Sequence, residues 1–352
     1  MEVEFESVLL PGLPNHLAHL CLSTLHPSVL YRVCRSWQRL IYSPSFPPFF
    51  SLYTVLFRPN SVEFCCFDPI SSKWRVLPTP PSEPPLSLIR RHPSFISRIL
   101  PIQSLAVSGR LILISATMNK FLPAFTHPLV FDPLSSNWSF GPPLSNPRRW
   151  CVAGSARGAV YIASGVGAQY NGDVARSVEK WDMNKKVSDW NWEKMASLKD
   201  GRFSREAVEA LEYRGKLCTV NINGKASKDG IVYDFLTNQW EEMSRGMLAG
   251  WIGPAAVDGD FMYVVDQENG SLSKYNAEND CWERLINSSE HLKGAEHIAA
   301  GGGRVCAVCA GGGKIIVVDI LATPAKIWVV SPPSESEVIA VHILPRMTHF
   351  EN

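Results

Sequence analysis

Two hydrophobic periods divide the chain. From Leu9 to Ile41 the apolar residues recur at roughly helical intervals, and Pro14 and Pro27 stand where helices would begin. From about residue 50 onward, short apolar runs such as SGRLILIS and RGAVYIAS each follow a glycine. Runs of this length, set off by glycine turns, predict short antiparallel strands. The pattern therefore predicts a small helical domain over residues 1–48 and a β-domain over residues 49–348.

A repeated motif lies within the predicted β-domain. It consists of an aromatic or aliphatic residue, an Asp or Asn, a turn and a Trp, which in the four strict copies comes six residues after the Asp or Asn. Its copies are FDPISSKW (67–74), FDPLSSNW (131–138), YDFLTNQW (233–240) and YNAENDCW (275–282), with looser copies at 181–192 and 318–328. Successive Asp or Asn positions are 64, 50, 52, 42 and 43 residues apart, which is close to the length of a β-propeller blade. The six copies predict six blades.

The repeated positions of the motif have predicted structural roles. The Asp accepts backbone N–H bonds in the turn, and the Trp opens the next strand and presents a large apolar face to the neighbouring repeat. After Trp328 an extra apolar strand follows, VIAVHILPRM (338–347), with no Asp-to-Trp motif of its own. Because the first repeat lacks a glycine-led first strand, we expect this C-terminal strand to complete the first blade.

Composition and charge narrow the function classes. The net charge of +1 gives no general attraction to nucleic acid or to an anionic membrane. Glu2, Glu4 and Glu6 stand where a secretory signal needs positive charge, and no apolar run reaches the length of a membrane span. Nine cysteines, an odd number, are scattered through apolar runs, which is typical of reduced thiols. We therefore expect a cytoplasmic or nuclear protein.

Candidate catalytic and metal-binding chemistry is sparse. Cys306 and Cys309 form the only C-x-x-C, without the second pair that would complete a zinc site. His291 and His297 are the closest histidine pair outside the helical domain, and they do not have a metal-ligand spacing. The sequence also contains no G-x-S-x-G, no P-loop and no dinucleotide-binding fingerprint. We expect a non-enzymatic chain with no metal and no cofactor.

The helical segment resembles an F-box. Its Leu13-Pro14 start, its central leucines and its ending, VCRSWQRLI (33–41), match that motif at nearly every defining position. The β-domain resembles kelch repeats, although the paired glycines of that repeat are mostly missing and SGVG (164–167) is the nearest match. Together they resemble the plant F-box/kelch-repeat proteins. The resemblance implies a mainly β fold, a six-bladed kelch-type β-propeller preceded by a small all-α F-box.

Similarity to that family implies the substrate-recognition subunit of an SCF-type E3 ubiquitin ligase. The F-box would dock on a Skp-type adaptor and through it on a cullin, while the propeller would bind a protein target. The residues expected to be divided between adaptor contact and the small core of the motif are Leu13, Pro14, Leu17, Leu20, Leu25, Val33, Trp37 and Leu40. The alternative is a non-ligase scaffold or small-molecule-binding propeller, whose helical cap would bury its apolar surface on the propeller.

A target-binding face is predicted where the chain enters the inner strand of each blade. Loops on one face of a propeller converge, and arginine and aromatic residues are common recognition anchors. The predicted residues are Arg98, Arg148, Arg149, Trp150, Arg202, Phe203, Arg205, Trp251 and His297. The alternatives are blade packing for the two tryptophans and a solvated rim for the arginines. The arginines favour a target or ligand with carboxylate or phosphate groups, so replacing Arg148, Arg149 and Arg202 together should weaken target capture.

Overall fold

Three short helices open the described part of the chain. The computed structural model describes residues 8–58, 61–81, 103–115, 117–119, 122–123, 126–149, 151–167, 172–198, 208–221, 229–333 and 336–348. The helices are α1 (Asn15–Ser23), α2 (Pro27–Tyr31) and α3 (Arg35–Tyr42). Pro14 caps the start of α1 and Pro27 is the first residue of α2, where the missing N–H of a proline costs no helical hydrogen bond.

Six four-stranded antiparallel sheets follow and form the blades of a β-propeller, numbered I to VI along the chain. From inner to outer strand, blade I contains Glu337–Pro345, Phe50–Arg58, Ser61–Asp68 and Lys73–Val76, and blade II contains Gln103–Val107, Arg110–Ser115, Leu129–Asp132 and Asn137–Phe140. Blade III contains Val152–Ala156, Ala159–Ala163, Val178–Asp182 and Trp192–Lys194, and blade IV contains Val208–Tyr213, Lys216–Asn221, Gly230–Asp234 and Gln239–Glu242. Blade V contains Ala255–Asp258, Phe261–Val265, Leu272–Asn276 and Cys281–Ile286, and blade VI contains Ala295–Gly301, Arg304–Cys309, Ile315–Asp319 and Lys326–Val330.

Smaller elements lie between these strands. Two short strand pairs join Arg148–Arg149 to Val166–Gly167 and Thr117–Asn119 to Leu122–Pro123. The described residues also include three short helical segments, Gly172–Arg176, Val187–Asp189 and Arg245–Gly250.

The inner strands of the six blades form a closed ring. Each inner strand contacts the next, and that of blade I, Glu337–Pro345, lies between those of blades VI and II. The same strand pairs antiparallel with Phe50–Arg58, the first strand after the helices. Strands from both ends of the chain therefore share one sheet, so ordinary backbone hydrogen bonds seal the ring.

The repeated Asp or Asn ends the third strand of its blade and organises the following turn. The Asp68 carboxylate accepts the backbone N–H of Ile70 at 2.8 Å, and the Asp234 carboxylate accepts that of Leu236 at 2.8 Å. Corresponding bonds occur at Asp132, Asp182, Asn276 and Asp319. These contacts have the geometry of Asx turns, so the predicted turn role of the Asp is confirmed.

The repeated Trp joins its blade to the preceding blade by a hydrogen bond. Its indole N–H donates to the backbone carbonyl of a residue that follows the outer strand of that blade. The donors Trp74, Trp138, Trp192, Trp240 and Trp282 reach the carbonyls of Ser331, Pro78, Pro142, Ala196 and Met247 at 2.7–3.0 Å. The predicted packing role of the Trp therefore includes an inter-blade hydrogen bond, which the sequence pattern did not reveal.

Blade VI departs from this pattern. Asp319 lies opposite Lys326, so Ile327 takes the position that Trp holds in the other blades and Trp328 comes one residue later. Because side chains alternate along a strand, this shift turns Trp328 to the opposite face of the sheet. Its cross-strand neighbour Val317 packs with Leu52 of blade I, so Trp328 faces blade I. The assignment of Trp328 as the repeat Trp is therefore wrong.

Candidate functional site

The helical domain has a small apolar core of its own. Leu22, Leu30, Leu40 and Ile41 are buried there, and Trp37 is partly buried against them. The indole N–H of Trp37 donates to the carbonyl of Leu9 at 2.9 Å, which ties the chain before α1 to α3. Two members of the predicted adaptor-binding set, Trp37 and Leu40, therefore belong to this core.

A set of large apolar side chains on the same domain is uncovered. It comprises Leu17, Leu20, Leu25, Val29 and Val33, whose side chains are 41–62% exposed and which we call the helical apolar set. Leu17 and Leu20 stand three residues apart on α1, a spacing that places both on one side of the helix. Isolated exposed apolar residues are common in proteins, but several on one small domain indicate an interaction site.

Four of these five residues were named from the sequence, and Val29 was missed. Its signal was its position four residues after Leu25 and four before Val33. Of the remaining predicted residues, Leu13 is half-buried and Pro14 is exposed.

Polar contacts fix the helical domain to blade I. The Tyr42 hydroxyl donates to the Asp68 carboxylate, which also accepts the Ser71 hydroxyl at 2.7 Å. Burial, reinforced by the hydrogen bond to Asp68, raises the pKa of the Tyr42 hydroxyl, so Tyr42 stays protonated and donates. On the other side, the Arg346 guanidinium donates to the carbonyls of Ser43 at 2.7 Å and Phe46 at 3.1 Å. This attachment involves none of the helical apolar set.

The strand order gives the propeller two different faces. In an antiparallel blade, the turns from inner to second strand and from third to outer strand leave one face, and the remaining connections leave the other. The helical domain lies on the first face, because Tyr42 contacts the third-to-outer turn of blade I. The chain enters each inner strand from the second face. Among the described members of the predicted target-binding set, Arg148, Arg149 and Trp251 come before inner strands that begin at the face away from the helices, and His297 lies within an inner strand.

The described residues contain only part of that predicted set. Arg98, Trp150, Arg202, Phe203 and Arg205 lie outside the described residues. The backbone of Arg149 is described, and it pairs with Val166.

Arg148 is buried against blade III. Its Nη2 atom is 3.0 Å from Oε2 of Glu179, and both side chains are inaccessible to solvent. The guanidinium also donates to the Ser177 hydroxyl at 2.6 Å and to the Ser164 carbonyl at 3.2 Å. Burial lowers the pKa of Arg148, and the Glu179 carboxylate opposes this shift. In this position Arg148 holds the segment before the inner strand to the third strand, and it offers no accessible atom to a target.

Of the last two residues of the set, Trp251 is buried and His297 is partly exposed. Trp251 is fully buried in a cluster with Met247 and Met262, which places it in blade packing. His297 lies on the inner strand of blade VI, with its ring centroid 5.6 Å from that of His342. Burial lowers the pKa of His297 to about 4 and that of His342 to about 3. Both imidazoles are therefore neutral at neutral pH.

No metal-binding cluster is found among the described residues. Within those ranges, no group of three or more His, Cys, Asp or Glu side chains is placed to hold a metal ion. All nine cysteines are free thiols, and Cys306 of the C-x-x-C pair is buried. None of the helices described is both long and apolar enough to span a membrane.

Comparison with known proteins finds relatives that match the chain from the helices through the propeller. No protein-family model matches the sequence. The chain is 48% identical to the F-box/kelch-repeat protein SKIP25 of Arabidopsis thaliana, over 97% of this chain and 91% of that protein. It is 27% identical to the F-box protein AFR of Arabidopsis thaliana, over 74% of this chain and 68% of that protein.

Proposed function

Because this chain belongs to the F-box/kelch-repeat family, we propose that it is the substrate-recognition subunit of an SCF-type E3 ubiquitin ligase. Residues 1–48 act as the F-box, which docks on a Skp-type adaptor and through it on a cullin. Residues 49–348 act as the propeller that holds a protein target. Ubiquitin transfer is carried out by other subunits, so this chain contributes position rather than catalytic groups.

The uncovered helical apolar set is the observation that carries this proposal. A helical cap on a plain scaffold would bury its apolar side chains against the propeller. Here the contacts between the two domains are made by Tyr42, Arg346 and their neighbours, while Leu20, Val29 and Val33 remain exposed. An apolar surface held clear of its own propeller fits an adaptor-docking role.

The attachment to blade I supports the second half of the proposal. Hydrogen bonds from Tyr42 and Arg346 hold the F-box on one face of the propeller, and the inner strands begin at the other face. A target bound at that second face is thus kept at a fixed distance from the adaptor. Arg149, Arg202 and Arg205 are the proposed target contacts there, with Arg148 excluded because it is buried.

The test is a pull-down of the full-length chain with a purified Skp-type adaptor. The variant Leu20→Ser with Val33→Ser removes two exposed side chains of the helical apolar set and should lower adaptor affinity by at least about tenfold. The matched control, Leu236→Ser with Leu321→Ser, removes two exposed leucines of the propeller and should bind like the unmodified chain. Melting temperatures should be similar for all three proteins because each substitution is at an exposed site.

Two results would contradict the proposal. One is that the Leu20→Ser, Val33→Ser variant binds the adaptor as tightly as the Leu236→Ser, Leu321→Ser control. The other is that the unmodified chain is folded but does not bind the adaptor. Trp37→Ala is unsuitable for this purpose, because Trp37 packs on the helical core and donates to Leu9. Loss of binding in that variant would not distinguish surface contact from unfolding.

A further inference from the structure

A groove lies between blades VI and I, where the ring is sealed. It is a half-open cleft with a volume of about 560 Å³, and we call it the seam groove. One wall, from blade I, is aromatic, with Phe50, Phe67 and Trp74. The other wall, from blade VI, contains the side chains of Arg304 and Trp328. The indole N–H of Trp74 donates to the carbonyl of Ser331 at 2.8 Å, and this bond joins the two walls.

Trp328 lines the groove because it does not occupy the repeat Trp position. In the five other blades the repeat Trp donates its N–H to the preceding blade, whereas the shifted register of blade VI turns Trp328 toward blade I. Its side chain is 40% exposed, and in the described part of the chain its indole N–H has no hydrogen-bond partner. A half-exposed indole with an available donor is a common feature of binding surfaces.

Arg304 differs from the basic residues at the same position in two other blades. In blades II and IV, the basic residue that opens the second strand pairs with the repeat Asp, Arg110 with Asp132 at 3.1 Å and Lys216 with Asp234 at 3.1 Å. Arg304 opens the second strand of blade VI opposite Asp319, yet no ion pair joins these two described residues. Its side chain lines the seam groove instead, and its charge partly offsets the rise that burial causes in the pKa of Cys306.

We propose that the seam groove binds a small molecule with a planar aromatic body and a carboxylate group. The aromatic side chains of both blades provide flat apolar walls, and the Arg304 guanidinium and Trp328 N–H provide donors for the carboxylate. The volume of the seam groove falls in the range of small-ligand sites. The Trp74 bond that joins the walls favours a compact ligand over an extended chain. This site is separate from adaptor docking and does not depend on it.

The experiment is calorimetric titration of the full-length protein with 2-naphthoate and with its neutral amide. We expect the acid to bind at least about tenfold more tightly than the amide, because only the acid pairs with a guanidinium. Arg304→Gln should reduce binding of the acid to the level of the amide. Trp328→Leu should weaken both ligands. Arg110→Gln is the matched control and should change neither, since Arg110 is already paired with Asp132.

Several outcomes would overturn the proposal. One is that the Arg304→Gln variant binds 2-naphthoate as tightly as the unmodified protein does. Another is that the unmodified protein does not bind 2-naphthoate at a ligand concentration of about 1 mM. Binding of a peptide that ends in phenylalanine, without binding of naphthoate, would replace the small molecule with a peptide. Self-association that is lost in Trp328→Leu would identify a second copy of the chain as the occupant. Melting temperatures check that each variant is folded, and adaptor pull-downs give an independent result.

Discussion

The buried ion pair between Arg148 and Glu179 allows a quantitative test of how blade III is held together. Nη2 of Arg148 is 3.0 Å from Oε2 of Glu179, and neither side chain reaches solvent. Arg148→Met keeps most of the apolar volume and leaves the Glu179 carboxylate buried without its counter-charge. Removing one partner of such a pair costs about 3–5 kcal/mol of unfolding free energy. Replacing both, as Arg148→Met with Glu179→Leu, should recover most of that loss.

Thermal unfolding followed by tryptophan fluorescence measures this effect. In a chain of this size about 1 kcal/mol corresponds to roughly 2 °C in Tm, so Arg148→Met should melt about 6–10 °C lower. The double variant should melt less than about 4 °C lower. The control is Arg110→Met, which breaks the partly exposed pair with Asp132 and should lower Tm by no more than about 2 °C.

The reasoning is refuted if Arg148→Met melts like the unmodified protein, or if the double variant is as unstable as the single one. Lost target capture by an Arg148→Met variant with unchanged melting would indicate that Arg148 contacts a target, and it would contradict the buried arrangement.

Two further predictions concern pH and the inter-blade bonds. In the folded protein, burial lowers the pKa of His297 to about 4 and that of His342 to about 3, whereas an unfolded chain protonates both near pH 6.5. Below pH 6.5 the unfolded state therefore binds more protons than the folded state. The free energy of unfolding keeps its full value above that pH, and on acidification it falls by up to about 1.4 kcal/mol per pH unit for each imidazole. His342→Asn should lose less Tm between pH 7.5 and pH 5 than the unmodified protein, and an equal loss would contradict this origin. Trp240→Phe removes the 2.9 Å hydrogen bond to the Ala196 carbonyl, so it should lower the free energy of unfolding, measured with denaturant, by about 1 kcal/mol. Trp328→Phe removes no such bond among the described residues and should lower it by almost nothing. The opposite ranking would show that the indole hydrogen bonds do not stabilise the contacts between blades.

The propeller was predictable because the contacts that form its repeated turn join residues close together in the sequence. The Asp turn involves residues only two or three positions apart, so a turn such as that at Asp234 shows in the sequence. Strand register, in contrast, depends on how two strands pair across a turn. Asp319 pairs with Lys326, seven residues later, whereas Asp234 pairs with Gln239, five residues later, so the turn after Asp319 has two extra residues. Trp328 stands nine residues after Asp319 rather than six, so it falls one place past the repeat position and onto the other face, and hydrophobic spacing alone does not show how many residues the turn takes.

The candidate site was less predictable because it depends on contacts between distant residues. The Pro-Arg sequence before blade III looks the same whether Arg148 meets solvent or a carboxylate, and its partner Glu179 belongs to another strand. In the F-box, helical spacing identified most of the apolar residues. Which of them faced outward was decided by packing, such as the bond from Trp37 to Leu9 that fixes α3 against the chain before α1.

The shared sheet of blade I has a consequence for synthesis. Its three outer strands, Phe50 to Val76, leave the ribosome early, whereas its inner strand, Glu337–Pro345, leaves almost last. Arg346, which anchors the F-box, follows that strand directly. A translation product that stops before Glu337 therefore lacks the ring seal and the Arg346 attachment of the F-box together, and keeps only the Tyr42 attachment. In such a fragment the six inner strands cannot form a closed circle, so the fold makes closure of the propeller conditional on translation through Arg346.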